Sequence, residues 1–105
     1  LSLGLHRQWK RQLQCLLMPA AGETWLDLCC GTGDLALELA RRVRPGGSVL
    51  GLDAAAAPLE LARHRQRRQP WLNVVFQQGD ALSTGLQDAS ADGVVMAYQL
   101  VLVKV

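Results

Sequence analysis

Trp25-Leu26-Asp27-Leu28-Cys29-Cys30-Gly31-Thr32-Gly33-Asp34-Leu35-Ala36 is the stretch that decides the fold. A short apolar run containing one acid stops at a glycine turn, and a helical pattern starts at once. That is the layout of a nucleotide-binding strand, loop and helix. Gly31 and Gly33 remove side chains where a ligand must approach the backbone. A helix that starts at about Asp34 presents unpaired N–H groups to the same place. Asp53 lies 20 residues after Gly33, at the end of the next apolar run, where a ribose needs an acceptor.

Outward from that stretch, strands and helices alternate. Residues 25–29 form the first strand, and Leu35, Leu39 and Val43, with Ala36 and Ala40, give the next helix its buried stripe. Pro45-Gly46-Gly47 stops that helix. Residues 49–53 are a second strand, apolar enough to be covered on both faces. A helix beginning near Pro58 carries Leu59, Ala62 and Gln66 inward and ends before Pro70. Residues 74–76 make a third strand, closed by Gly79-Asp80, and residues 93–98 a fourth. Upstream, Leu5, Trp9, Leu13, Leu16 and Leu17 recur at helical spacing up to Met18-Pro19. The pattern predicts an α/β fold, a Rossmann-like doubly wound parallel sheet of order 3-2-1-4 with an N-terminal amphipathic helix. The crevice between strands 1 and 4 is the switch point. Residues 94–105 are almost unbroken apolar, and no helix follows to cover the fourth strand. That strand is therefore expected to be an open edge.

With 105 residues, half of them hydrophobic and 19% charged, the chain is one small folded unit. A formal net charge of +2 carries no nucleic-acid signal. Ten of the 11 basic residues sit in three helical stretches: Arg7, Lys10 and Arg11; Arg41, Arg42 and Arg44; Arg63, Arg65, Arg67 and Arg68. They read as solvated helix faces, with a surface for anionic lipid headgroups as the sharper alternative. Cys15, Cys29 and Cys30 make neither a disulfide framework nor a zinc site, so no metal is expected. Cys29 and Cys30 read as small apolar fillers of a buried strand in a protein of a reducing compartment. Trp9-Lys10-Arg11-Gln12 interrupts any signal-peptide core, and no apolar run is long enough to span a membrane.

Four acids fall at or near strand ends: Asp27, Asp53, Asp80 and Asp92. Asp53 suits ribose hydroxyls. Asp80 suits an adenine amino group, with the Ala81 N–H facing a ring nitrogen. Asp27 and Asp34 reach the amino-acid end of a ligand or brace the glycine loop. Asp92 reads as a turn or strand-start acid. Two ligand classes compete. Gly31-x-Gly33-x-x-Ala36 is formally a dinucleotide fingerprint. S-adenosyl-L-methionine needs no pyrophosphate cradle; it needs acceptors for an ammonium, a ribose and an adenine. The acids fit that second list better, and Asp27 stands inside the strand where dinucleotide binders keep an apolar residue.

Residues 27–36, Asp27-Leu28-Cys29-Cys30-Gly31-Thr32-Gly33-Asp34-Leu35-Ala36, resemble motif I of class I S-adenosylmethionine-dependent methyltransferases. More narrowly, Ser2-Leu3-Gly4-Leu5-His6-Arg7-Gln8-Trp9-Lys10-Arg11 and Gly51-Leu52-Asp53 are similar to the quinone C-methyltransferases of ubiquinone and menaquinone biosynthesis, above all their cyanobacterial and plastid phylloquinone branch. The resemblance covers residues 1–98. By motif position it implies cofactor contacts at Thr32, Asp53, Asp80 and Ala81, and at Ala97 through its backbone; Asp27, Cys30, Gly31 and Gly33 complete the candidate cofactor-binding set. It implies a prenylated or phytylated naphthoquinol as methyl acceptor, and a cytoplasmic protein with peripheral membrane contact. His6 is the one N-terminal candidate for proton handling, against a plain helix-surface role. After Tyr98 the family continues Gly-Leu-Arg-Asn, which Gln99-Leu100-Val101-Leu102 does not match. The resulting expectation is a single truncated domain over 1–105: an N-terminal helix over 1–20, a cofactor-binding half over 22–98 and a divergent tail over 99–105. Such a piece is expected to be inactive by itself. A fragment of an NAD-binding oxidoreductase and a non-catalytic cofactor-binding module remain the alternatives.

Overall fold

The computed structural model describes residues 19–79, 91–96 and 101–104, the last four by backbone alone. Five strands form one sheet: β1 (Thr24–Leu28), β2 (Ser48–Asp53), β3 (Val74–Gln78), β4 (Gly93–Met96) and β5 (Val101–Lys104). Helix α1 (Asp34–Arg42) joins β1 to β2, and α2 (Ala56–Arg67) joins β2 to β3. The order is β3-β2-β1-β4-β5, with β1 to β4 parallel. The predicted 3-2-1-4 core is thus present. The predicted N-terminal helix and the positions His6 and Cys15 lie outside the described residues.

One expectation fails. β4 is not an edge, because β5 pairs with it antiparallel, from Gly93 opposite Lys104 to Met96 opposite Val101. A nearly unbroken apolar run carries no residues that mark a reversal, so the antiparallel pairing of β4 with β5 is not visible in the residue pattern.

Register explains the core. Trp25, Val49 and Val74 align across β1, β2 and β3, and Asp27, Gly51 and Phe76 align one pleat further on. Residues two apart share a face, so these two rows lie on one side of the sheet. Crossovers that step from β1 to β2 to β3 in one direction put both helices on a single face. Leu35, Ala36, Leu37, Leu39 and Ala40 of α1 and Leu59 and Ala62 of α2 are buried. Trp25 is fully buried, and a Cβ at Gly93 would come within 2.5 Å of its indole. Asp34 in the first turn of α1 and Arg41 and Arg42 in the last complement the helix dipole.

The amino ends of β1 and β4 are spliced by one acid. Asp92 Oδ2 accepts from the Thr24 N–H at 2.8 Å, while the Asp92 N–H donates to the Thr24 carbonyl at 2.7 Å. Its expected strand-start role holds. This end of the sheet faces away from the glycine loop and leaves the carboxyl ends of the strands to the site.

Candidate functional site

The glycine loop, residues 29–33, leaves the carboxyl end of β1 and feeds α1. β1 stops at Leu28, one residue short of the predicted end. Cys29 has φ 60° and is exposed, whereas Cys30 turns inward and is buried. Both cysteines were expected as buried fillers of the strand; both lie beyond its end, and only Cys30 is buried. Burial, and secondarily the charges of Asp27 and Asp53, push the Cys30 thiol up to about 12.

Backbone bonds fix the loop to β2. The Cys30 N–H donates to the Leu52 carbonyl at 2.7 Å, and the Gly31 N–H to Asp53 Oδ2 at 2.8 Å. Asp53 Oδ1 accepts from the Ala55 N–H at 2.9 Å. Asp53 thus ties the β1–α1 loop to the β2–α2 loop. Its carboxylate retains lone pairs beyond these two bonds, enough to accept from a ligand hydroxyl as well. The Gly79 N–H donates to the Asp53 carbonyl at 2.9 Å, which brings the end of β3 alongside. Asp27 is buried within β1, opposite Gly51 of β2 and Val95 of β4.

The two glycines play different parts. Gly31 has φ +57°, and among the described residues nothing lies within 4 Å of where its Cβ would be. Gly33 has φ +89°, and a Cβ there would meet Phe76 Cζ at 2.9 Å and the Ala62 methyl at 3.0 Å. Its missing side chain is demanded by packing against α2 and β3. The sequence reading put ligand approach at both glycines; at Gly33 packing is a second reason for glycine.

Arg65 is the residue that sequence reasoning missed. Grouped with a solvated face, it instead donates to the Thr32 carbonyl at 3.0 Å and pairs with the Asp34 carboxylate. Arg63 likewise reaches back, to the Phe76 carbonyl at 2.8 Å. The available signal was position: Arg65 follows buried Ala62 by three residues and so shares its face. Asp80, Ala81 and Ala97 lie outside the described residues. Asp27, Cys30, Gly31, Thr32, Gly33 and Asp53 are gathered around one loop.

An acid at a strand end and a glycine loop suit either ligand class. Comparison with known proteins separates them. A model of the ubiE/COQ5 methyltransferase family matches residues 1–104. The chain belongs to that family. The match runs past Tyr98, where the motif resemblance ended. The chain is 47% identical over 100 residues to a 2-phytyl-1,4-naphtoquinone methyltransferase of Thermosynechococcus vestitus, covering 95% of the chain and 44% of that protein. It is 40% identical to a demethylmenaquinone methyltransferase of Lactobacillus johnsonii, covering 95% of the chain and 41% of that protein. The chain therefore spans less than half the length of these curated relatives. Among solved structures it resembles the YcgJ protein of Bacillus subtilis, with a TM-score of 0.74 and 27% identity over 85% of this chain and 37% of that one. A protein-L-isoaspartate O-methyltransferase shares the fold at a TM-score of 0.76 and 21% identity, over 86% of this chain and 28% of that one. The methyltransferase reading prevails over the oxidoreductase one.

Proposed function

We propose that the chain carries the S-adenosyl-L-methionine-binding part of a quinol C-methyltransferase, whose acceptor is a prenylated or phytylated naphthoquinol. The observation that carries this is the Asp53 carboxylate, which stands at the carboxyl end of β2 and is bonded to the N–H of Gly31, where no described residue fills the place of a side chain. The residues present fit such a cofactor: an acceptor for a diol, a backbone without side chain at the approach, and buried carboxylate charge under the loop. When bound, the cofactor supplies a methyl group on a positive sulfonium. Asp53 holds the ribose, Gly31 and Thr32 line the approach, and Asp27 sets negative charge beneath the loop. Asp80 and Ala81 are the proposed adenine contacts, and Ala97 a further backbone contact. His6 is the proposed group for proton handling on the acceptor side. Catalysis by such a site would be mainly orientation of methyl donor and ring carbon, since the S–CH3 electron pair would stay on sulfur and the leaving group would be a neutral thioether that needs no acid assistance.

Among the described residues no helix is long and apolar enough to cross a membrane. Access to a lipid-soluble quinol is proposed to occur by peripheral contact from the cytoplasm. The test is calorimetric titration of the chain with S-adenosylhomocysteine and, separately, with NADH. Saturable binding of the first alone is expected; binding of NADH alone overturns the reading.

A further inference from the structure

We propose that Arg65 is a positioning residue for the cofactor: from α2 it clamps the glycine loop in the shape that receives the ligand. The inference rests on the reading of that loop as the cofactor cradle. Arg65 Nη1 donates to the Thr32 carbonyl at 3.0 Å and pairs with the Asp34 carboxylate. The Thr32–Gly33 peptide is thereby held at both ends, because the Gly33 N–H donates to the Cys30 carbonyl at 3.0 Å.

The other anchors of the loop come from β2. Leu52 accepts from the Cys30 N–H, and Asp53 from the Gly31 N–H. They fix the first half of the loop. Arg65 fixes the second half, and it does so from a different element. Ala62, one turn earlier on the same face of α2, stands where a side chain at Gly33 would go. The two residues thus support the loop from behind, opposite in kind: one by contact, one by charge. The pair also draws the Asp34 carboxylate toward α2, and a guanidinium can serve a carbonyl and a carboxylate together.

A positioned loop binds without an ordering cost, so loss of the clamp should appear in affinity. The experiment is titration of the full chain and its Arg65→Ala, Arg65→Lys and Asp34→Asn variants with S-adenosylhomocysteine, with thermal unfolding of each measured without ligand. Arg65→Ala is expected to weaken binding about tenfold, Asp34→Asn by less, and Arg65→Lys to recover most of the loss. The unfolding midpoint should move little, because the Arg65 side chain is 43% exposed. Unchanged affinity in Arg65→Ala overturns the clamp while leaving the cofactor reading standing. Equal losses in Arg65→Ala and Arg65→Lys overturn the charge bridge. A wild-type chain that fails to bind overturns the cofactor reading itself, and the clamp with it.

Discussion

Cys29 and Cys30 are chemically identical neighbours in opposite environments. Cys29 is exposed with φ 60°, a conformation that costs a non-glycine residue roughly 1–2 kcal/mol. Cys30 is 9% exposed, and its thiol is pushed up to about 12 by burial first and by Asp27 and Asp53 next. At pH 8, iodoacetamide should modify Cys29 and spare Cys30 until the chain is denatured, as peptide mapping would reveal. The folded value lies above the ordinary 9.0, so this thiol's contribution is complete below pH 9 and is lost as the pH climbs toward 12. Denaturant midpoints measured from pH 8 to pH 11 should therefore fall. Adjacent identical residues in sequence could not announce this split; it depends on where the strand ends, and β1 stops one residue earlier than apolarity alone suggests.

At the level of elements, the loop is held between β2 and α2, and its glycines answer to that arrangement. Gly33→Ala should cost roughly 1–3 kcal/mol from overpacking against Phe76 and Ala62, before any backbone strain at φ +89° is added. Asp92→Ala should cost about 1 kcal/mol by removing the Thr24 bond, and should leave S-adenosylhomocysteine affinity unchanged. Urea unfolding of both variants, with a titration of the second, checks the pair. A loss of affinity in Asp92→Ala would contradict the separation of the sheet into a structural end and a ligand end. Most of these elements were legible in the residues: the helix over Asp34–Arg42 follows its apolar stripe, and Asp53 its distance from Gly33. Arg65 was not, because charge patterning treats an arginine by its composition, and only packing tells which side of α2 meets the loop.

For the whole molecule, the parallel core in the order β3-β2-β1-β4 matches expectation, and β5 changes its boundary. Hydrophobic runs without turn residues do not mark where a chain reverses, so the antiparallel pairing of Gly93–Met96 with Val101–Lys104 emerged only in three dimensions. The sheet places Asp53, Gly31 and buried Asp27 at one end, and family membership narrows the ligand that such an end serves. The central claim is that Asp53 binds the ribose of S-adenosyl-L-methionine. The most direct measurement is the dissociation constant of S-adenosylhomocysteine for the wild-type chain and for Asp53→Asn, which keeps the shape and removes the charge. A loss of about tenfold or more, with the fold intact by circular dichroism, is the expected result. Equal affinity in the two proteins would contradict the account.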